Sequence, residues 1–185
     1  MFKPFPTLTA IHTVVFDFDG VFTDNKVWID QNGKESVRCD RGDGLAFDLV
    51  RAFQCNGRLA AEFFILSKEA NPVVLSRAKK LQLDCHHGIQ NKLDFMTAHL
   101  GARFSGHANP FAGLVYLGND LNDLPLIRRA GYSVVPNDAH PLVKKYANLI
   151  LPQNGGEGFV RAFIEELLDI KELPIEELCK FLSIG

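Results

Sequence analysis

Apolar residues fall along this chain in two spacings, and the exchange between them predicts its elements. Val14-Val15-Phe16 is a short continuous apolar run that leads into Asp17-Phe18-Asp19 and then Gly20. A run of this kind, bounded by glycine, predicts a buried parallel strand with polar residues at its C-terminal end. From Asp43 the spacing becomes helical: Leu45, Phe47, Leu49, Val50 and Phe53 form one apolar face that ends near Asn56-Gly57. The same exchange continues to the end of the chain. Strands are predicted over 59–66, 83–86, 113–117, 132–135 and 148–151. Helices are predicted from Pro72 through Leu81, over 92–100 up to Gly101, and from Leu121 through Ile127. Three more follow: one behind Asn137-Asp138-Ala139-His140-Pro141, one over 159–168 and a short one over 175–182.

One segment breaks the alternation. Between Lys26 and Arg38, Asn32-Gly33 separates two short β-type runs, which predicts a hairpin flap over about 25–39. Its Val27, Trp28 and Ile29 are expected to pack on something rather than face water. Residues 1–10 read as a proline-stiffened lead-in. Strands alternating with helices specify an α/β fold, a parallel sheet covered on both faces. With no repeat, linker or long insertion, residues 1–185 are expected to form a single domain.

Composition narrows the function classes. The chain is 46% hydrophobic and 23% charged, enough for one core. Twenty Lys and Arg against 22 Asp and Glu give a net charge of -2, which argues against a nucleic-acid-binding surface. Cys39, Cys55, Cys85 and Cys179 contain no Cys-x-x-Cys pair and read as reduced, small hydrophobes. No apolar run approaches bilayer length, and the N-terminal residues lack a signal-peptide core. The expectation is a soluble, cytoplasmic protein with neither a nucleic acid nor a membrane as partner.

The candidate chemistry begins at the first strand. Asp17 and Asp19 start out on one side of an extended segment, and Gly20 lets the backbone turn away beneath them. Two carboxylates so close repel unless a cation or a shared proton stabilises them. Ser67 follows the apolar strand Phe63-Phe64-Ile65-Leu66. Among lysines near helix starts, the residues alone leave Lys79, Lys80 and Lys92 open. A second acidic cluster follows a later strand, in Gly118-Asn119-Asp120-Leu121-Asn122-Asp123. His86-His87 has no partner at metal-ligand spacing and reads as a surface pair at a strand end.

Asp17-Phe18-Asp19-Gly20-Val21-Phe22-Thr23-Asp24 closely resembles the first motif of the haloacid dehalogenase superfamily of phosphatases. The later motifs follow in the family's order: Ser67, then Lys92 in Gln90-Asn91-Lys92-Leu93, then the acidic cluster at Gly118. The resemblance implies a Rossmann-like sheet. It makes Asp17 the nucleophile that forms an aspartyl-phosphate and Asp19 the proton donor to the leaving alkoxide. Ser67 and Lys92 become phosphate ligands, and Mg2+ is the implied cofactor. The implied metal residues are Asp17, Asp19, Asn119, Asp120 and Asp123. The family pattern is Gly-Asp-Asp-x-x-Asp, so Asn119 replaces the first aspartate and removes one negative charge.

The hairpin after the first strand, the missing cap and Gly155-Gly156-Glu157-Gly158 resemble the capless 3-deoxy-D-manno-octulosonate 8-phosphate phosphatases. That family implies a homotetramer with flaps packed together and neighbours completing each site. Arg41-Gly42-Asp43-Gly44 resembles its Arg-Asp-Gly loop, which makes Arg41, Asp43 and Gly44 substrate-binding candidates, and Gly20 of the first motif is a fourth. Ser67-Lys68-Glu69 departs from its Thr-Gly-Arg and is closer to the phosphatase-like domain of acylneuraminate cytidylyltransferases. The expected substrate is accordingly a phosphorylated 2-keto-3-deoxy sugar acid, either an octulosonate 8-phosphate or an acylneuraminate 9-phosphate. The alternative is a weak or inactive oligomerisation module that organises such a cytidylyltransferase. A receiver-type phosphoacceptor domain is disfavoured, because its acceptor aspartate should end the strand that here ends at Ser67.

Overall fold

The apolar run before Asp17 does form a buried strand, and the sheet is built outward from it. The computed structural model describes residues 3–182. In it β1 (Thr13–Phe16) sends Val14 and Phe16 to one face of the sheet and Val15 to the other. A tight turn then leads into the hairpin, β2 (Thr23–Ile29) and β3 (Glu35–Cys39), paired antiparallel. The alternating elements follow as α1 (Gly42–Cys55), β4 (Glu62–Leu66), α2 (Val73–Leu81), β5 (Asp84–His86), α3 (Lys92–Arg103) and β6 (Leu114–Leu117). They continue as α4 (Leu124–Arg129), β7 (Tyr132–Val135), α5 (Pro141–Tyr146), β8 (Leu149–Ile150), α6 (Phe159–Leu167) and α7 (Ile175–Leu182). The sheet runs β5-β4-β1-β6-β7-β8 with every pair parallel, the α/β architecture that the alternation predicts. Among the described residues there is no cap domain, and no helix is long and apolar enough to cross a membrane.

Both faces are covered. On one, Phe16 packs among Phe22, Phe47, Phe63 and Phe163, and apolar residues of α1, α2, α6 and α7 close over them. On the other, Val15, Phe64 and Tyr116 lie beneath Met96, Leu100, Ile127 and Val143 of α3, α4 and α5. Each fully buried Phe contributes roughly 1.5–3 kcal/mol. The phenylalanine-rich stretches thus fix the middle strands, whose C-terminal ends carry the acidic residues.

The structure differs from the sequence reading at several places. Helix α3 runs through Gly101 to Arg103, because a helical glycine costs only about 1 kcal/mol and Arg103 gains a 3.0 Å ion pair with Glu62. Leu121–Asp123 is a 3-10 turn, and α4 begins after it. His86 is half-buried against Phe64, Phe95 and His99 rather than standing at the surface. Val27, Trp28 and Ile29, expected to be covered, are 53%, 72% and 64% exposed in the single chain.

Candidate active site

Parallel registration brings the candidate residues together. Phe16 is level with Ile65 of β4 and Leu117 of β6, so β1, β4 and β6 end side by side. Asp17 continues the ladder, its N–H donating to the Leu117 carbonyl at 2.8 Å, and Ser67 does the same to His86 at 2.9 Å. Carboxyl ends of adjacent parallel strands are where such sheets hold ligands. A cavity of about 290 Å3 opens there, lined by Asp17, Asp19, Ser67, Lys68, Glu69, Gln90 and Asn122.

Lys92 is the first residue of α3, and its side chain is buried. Its ammonium bonds Asp17 Oδ1 and Asp123 Oδ1, each at 2.7 Å. Asp123 is fully engaged. Its Oδ1 also accepts the Tyr116 hydroxyl at 2.6 Å, and its Oδ2 accepts the N–H groups of Asn119 and Asp120 at 2.9 and 3.2 Å. It therefore serves to hold Lys92 and the Gly118 loop, with no oxygen left for a cation. The second contact of Asp17 also falls on Oδ1, from the Phe18 N–H at 2.7 Å.

The remaining candidates separate. Asn119 is buried with its amide against Gly20, whose φ of +73° suits glycine and where a Cβ would lie 1.9 Å from Asn119 Nδ2. Asp120 is exposed, and its carboxylate caps the Leu121–Asp123 turn. Arg41, Asp43 and Gly44 stand at the start of α1 and are not among the residues that line the cavity. Asp43 is buried and pairs with Arg77 of α2 at 3.1 Å, while Arg41 is exposed. Tyr116 went unnoticed in the sequence. The signal was there, since a tyrosine in a fully buried strand must find a partner for its hydroxyl. The polar rim residues Gln90 and Asn122 were missed too, and no sequence pattern marks them.

The electrostatics sort the carboxyls. Burial and the charge of Asp123 push Asp17 up, against the pull of Lys92. Burial, then the charge of Glu69, raises Asp19, which favours a protonated form. Burial opposes the ionised form of Asp123 as well, but Lys92, the Tyr116 hydroxyl and the Asn119 N–H reverse this and hold it low. Burial alone would lower Lys92, and its two carboxylates more than compensate. Asp17 and Asp123 share a single ammonium, so their combined charge is not fully offset. Among the described residues no three His, Cys, Asp or Glu side chains are grouped as a metal cage. The candidate donors are all oxygen: Asp17 and Asp19, which line the cavity, and the Asn119 amide, which lies against Gly20 and is not among the lining residues. That set fits a hard divalent cation that keeps most of its waters and takes one or two carboxylates plus a substrate phosphate oxygen.

Comparison with known proteins agrees with this geometry. The sequence profile of the haloacid dehalogenase-like hydrolases matches residues 111–163. A structure from Streptomyces avermitilis described as a haloacid dehalogenase family hydrolase is 37% identical. It covers 91% of this chain and 97% of its own, with a TM-score of 0.77. The 3-deoxy-D-manno-octulosonate 8-phosphate phosphatase KdsC of Escherichia coli K12 is 28% identical over 85% of this chain and 79% of its own. A cobalt-bound deoxy-D-mannose-octulosonate 8-phosphate phosphatase from Haemophilus influenzae is 26% identical. It covers 88% of this chain and 90% of its own, with a TM-score of 0.72.

Proposed function

The chain belongs to the haloacid dehalogenase-like hydrolase family and is a phosphatase of it, and we propose that it hydrolyses the phosphate ester of a 2-keto-3-deoxy sugar acid. The observation that carries the reading is the buried Asp17–Lys92–Asp123 bridge, whose Asp17 lines a small cavity together with Asp19 and Ser67. Its volume suits a phosphate and the first carbons of a polyhydroxylated chain, for which Lys68, Glu69, Gln90 and Asn122 supply hydrogen-bonding groups. Likeness to the octulosonate phosphatases supports an acidic sugar as substrate.

A divalent metal belongs to this chemistry, and magnesium is the ion proposed, held by Asp17 and the Asn119 amide beside Asp19. When bound it supplies positive charge that offsets the phosphoryl oxygens. Lys92 and the Ser67 hydroxyl orient the phosphoryl group. An Asp17 oxygen forms a bond to phosphorus as the ester P–O bond breaks, and the departing oxygen keeps the bonding pair and takes the Asp19 proton. The Asp19 carboxylate then takes a proton from a water molecule, whose oxygen attacks the aspartyl-phosphate. The Asp17–phosphorus bond breaks, inorganic phosphate is released and both aspartates return to their starting states. Raised proton affinity at Asp19 suits the first of these steps, and the cation beside Asp17 suits its role as nucleophile.

The exposed Val27, Trp28 and Ile29 support association of copies through their hairpins, and the number four rests on the resemblance to the octulosonate phosphatases. The test of function is phosphate release from octulosonate 8-phosphate, acylneuraminate 9-phosphate and generic sugar phosphates, with Asp17→Asn as control. Preferred turnover of one acidic sugar phosphate, abolished in a folded Asp17→Asn protein, is the expected result. Inertness across the panel at saturating magnesium refutes the proposal and leaves the cytidylyltransferase-organising module as the reading.

A further inference from the structure

Gly155-Gly156-Glu157 takes no part in the chemistry above, yet its backbone lies against the turn that carries Asp19. A Cβ on Gly155 would sit 2.1 Å from the carbonyl oxygen of Gly20 and 3.0 Å from that of Thr23. Gly156 donates its N–H to the Val21 carbonyl at 3.1 Å, and a Cβ there would come within 2.5 Å of the Asp24 nitrogen. Behind the loop, Asp138 Oδ1 accepts the Gly155 N–H at 3.0 Å and ties it to the segment after β7. In front, Arg38 of β3 bonds Glu157 at 2.8 Å and Asp24 at 3.1 Å, so the root of the hairpin is fastened to the same loop.

We propose that this loop is a positioning element for Asp19, acting through Gly20 and Thr23. Thr23 is buried. Its hydroxyl oxygen accepts the N–H groups of Gly20 and Asn25, each at 3.2 Å, and its hydroxyl is 3.5 Å from Asp19 Oδ1. A displacement at Gly155 therefore reaches the turn, then Thr23, then the proton donor. Asp17 is held separately, by the Leu117 carbonyl, the Phe18 N–H and Lys92. The loop sets where the proton comes from and leaves the nucleophile where it is.

The inference rests on the reading of Asp19 as proton donor, and leaving groups separate the two. As the ester P–O bond breaks, a sugar alkoxide needs the Asp19 proton, whereas p-nitrophenolate departs without one. Hydrolysis of the aspartyl-phosphate, in which Asp19 acts as base, is common to all esters. The experiment therefore compares kcat/KM, which covers only the steps through departure of the alcohol, for p-nitrophenyl phosphate, phenyl phosphate and 3-deoxy-D-manno-octulosonate 8-phosphate in four proteins: native, Asp19→Asn, Gly155→Ala and Thr23→Val. Thr23→Val adds no bulk and guards against misfolding of Gly155→Ala. Expected for both new variants is a kcat/KM loss of about tenfold or more on the phenyl and sugar esters. On p-nitrophenyl phosphate the kcat/KM loss stays within about twofold, although kcat itself falls wherever hydrolysis of the aspartyl-phosphate limits it. Equal losses on all three esters, or no loss, overturn the positioning role when Asp19→Asn does discriminate. If Asp19→Asn itself shows no preference for the good leaving group, the proton-donor reading has failed and takes the inference with it.

Discussion

Replacing Lys92 by methionine keeps the length of a buried side chain and removes the charge on which the site is built. Two charge-assisted hydrogen bonds of 2.7 Å disappear, one to Asp17 and one to Asp123. Breaking a buried ion pair from one side costs about 3–5 kcal/mol. The loss is not shared evenly. Asp123 keeps the Tyr116 hydroxyl and two backbone N–H groups, whereas Asp17 keeps only the Phe18 N–H. Asp17 is already pushed up by burial and by the Asp123 charge, and without Lys92 it rises further above its unfolded value of 3.8. A carboxyl whose proton affinity is raised on folding contributes stability at low pH and loses it as pH climbs toward the folded value. The native Asp17 is raised to about 8, so the destabilisation by Lys92→Met should be about 3 kcal/mol at pH 6, where both proteins keep the Asp17 proton. It should be clearly larger at pH 9, where the native Asp17 is ionised beside Lys92 and the variant's is not. Urea unfolding of both proteins at the two pH values measures this, and phosphate release from the same preparations should fall by about a thousandfold. Equal destabilisation at both pH values, with phosphate release within about tenfold of native, would refute the assignment of Lys92 as the counter-charge of Asp17.

Three further outcomes follow from the same structure. Asn119→Asp restores a carboxylate beside Gly20 and should lower the magnesium concentration for half-maximal phosphate release; an unchanged magnesium titration means that Asn119 does not meet the ion. Burial, opposed by Arg77, raises Asp43 to about 7. At roughly 1.4 kcal/mol for each tenfold change in proton affinity, about 4 kcal/mol of stability is then lost between pH 4 and 7. Asp43→Asn should flatten that part of the pH–stability curve measured by urea unfolding. Replacing Trp28 and Ile29 by lysine should convert a tetramer to smaller species in light scattering, and a monomeric native protein would remove the basis for that association.

Much of this molecule is legible in the sequence because β1, β4, β6 and β7 are buried on both faces and the acidic residues sit directly after β1 and β6. Val14 to Phe16 can only be a central strand, and Asp17 and Asp19 inherit their place from it. The residues that sequence misplaces are those whose role depends on a partner elsewhere in the chain. Asp120 and Asp123 are alike in a linear reading, but a 3-10 turn points one to solvent and the other to Lys92. Asp43 belongs to a promising loop, and only the packing of α2 on α1 reveals its pairing with Arg77. Tyr116 reads as one more apolar residue of β6 until its hydroxyl meets Asp123. The histidine pair at the end of β5 was placed at the surface because nothing local announces α3 closing over His86.

Phosphate recognition here is a property of the finished topology. Asp17, Ser67 and the Gly118 loop come from strands that lie side by side in the sheet but are separated along the chain by whole crossover units. Each parallel pairing closes a long loop before it is rewarded, which makes such contacts late and slow events in folding. A chain emerging from the ribosome thus has no anion site while it carries only β1 and β4, since Asp123 and its hold on Lys92 arrive with the residues after β6. Inorganic phosphate should accordingly bind the native state far better than any partly folded one, and so act as a reporter of complete folding and as a stabiliser of it by mass action.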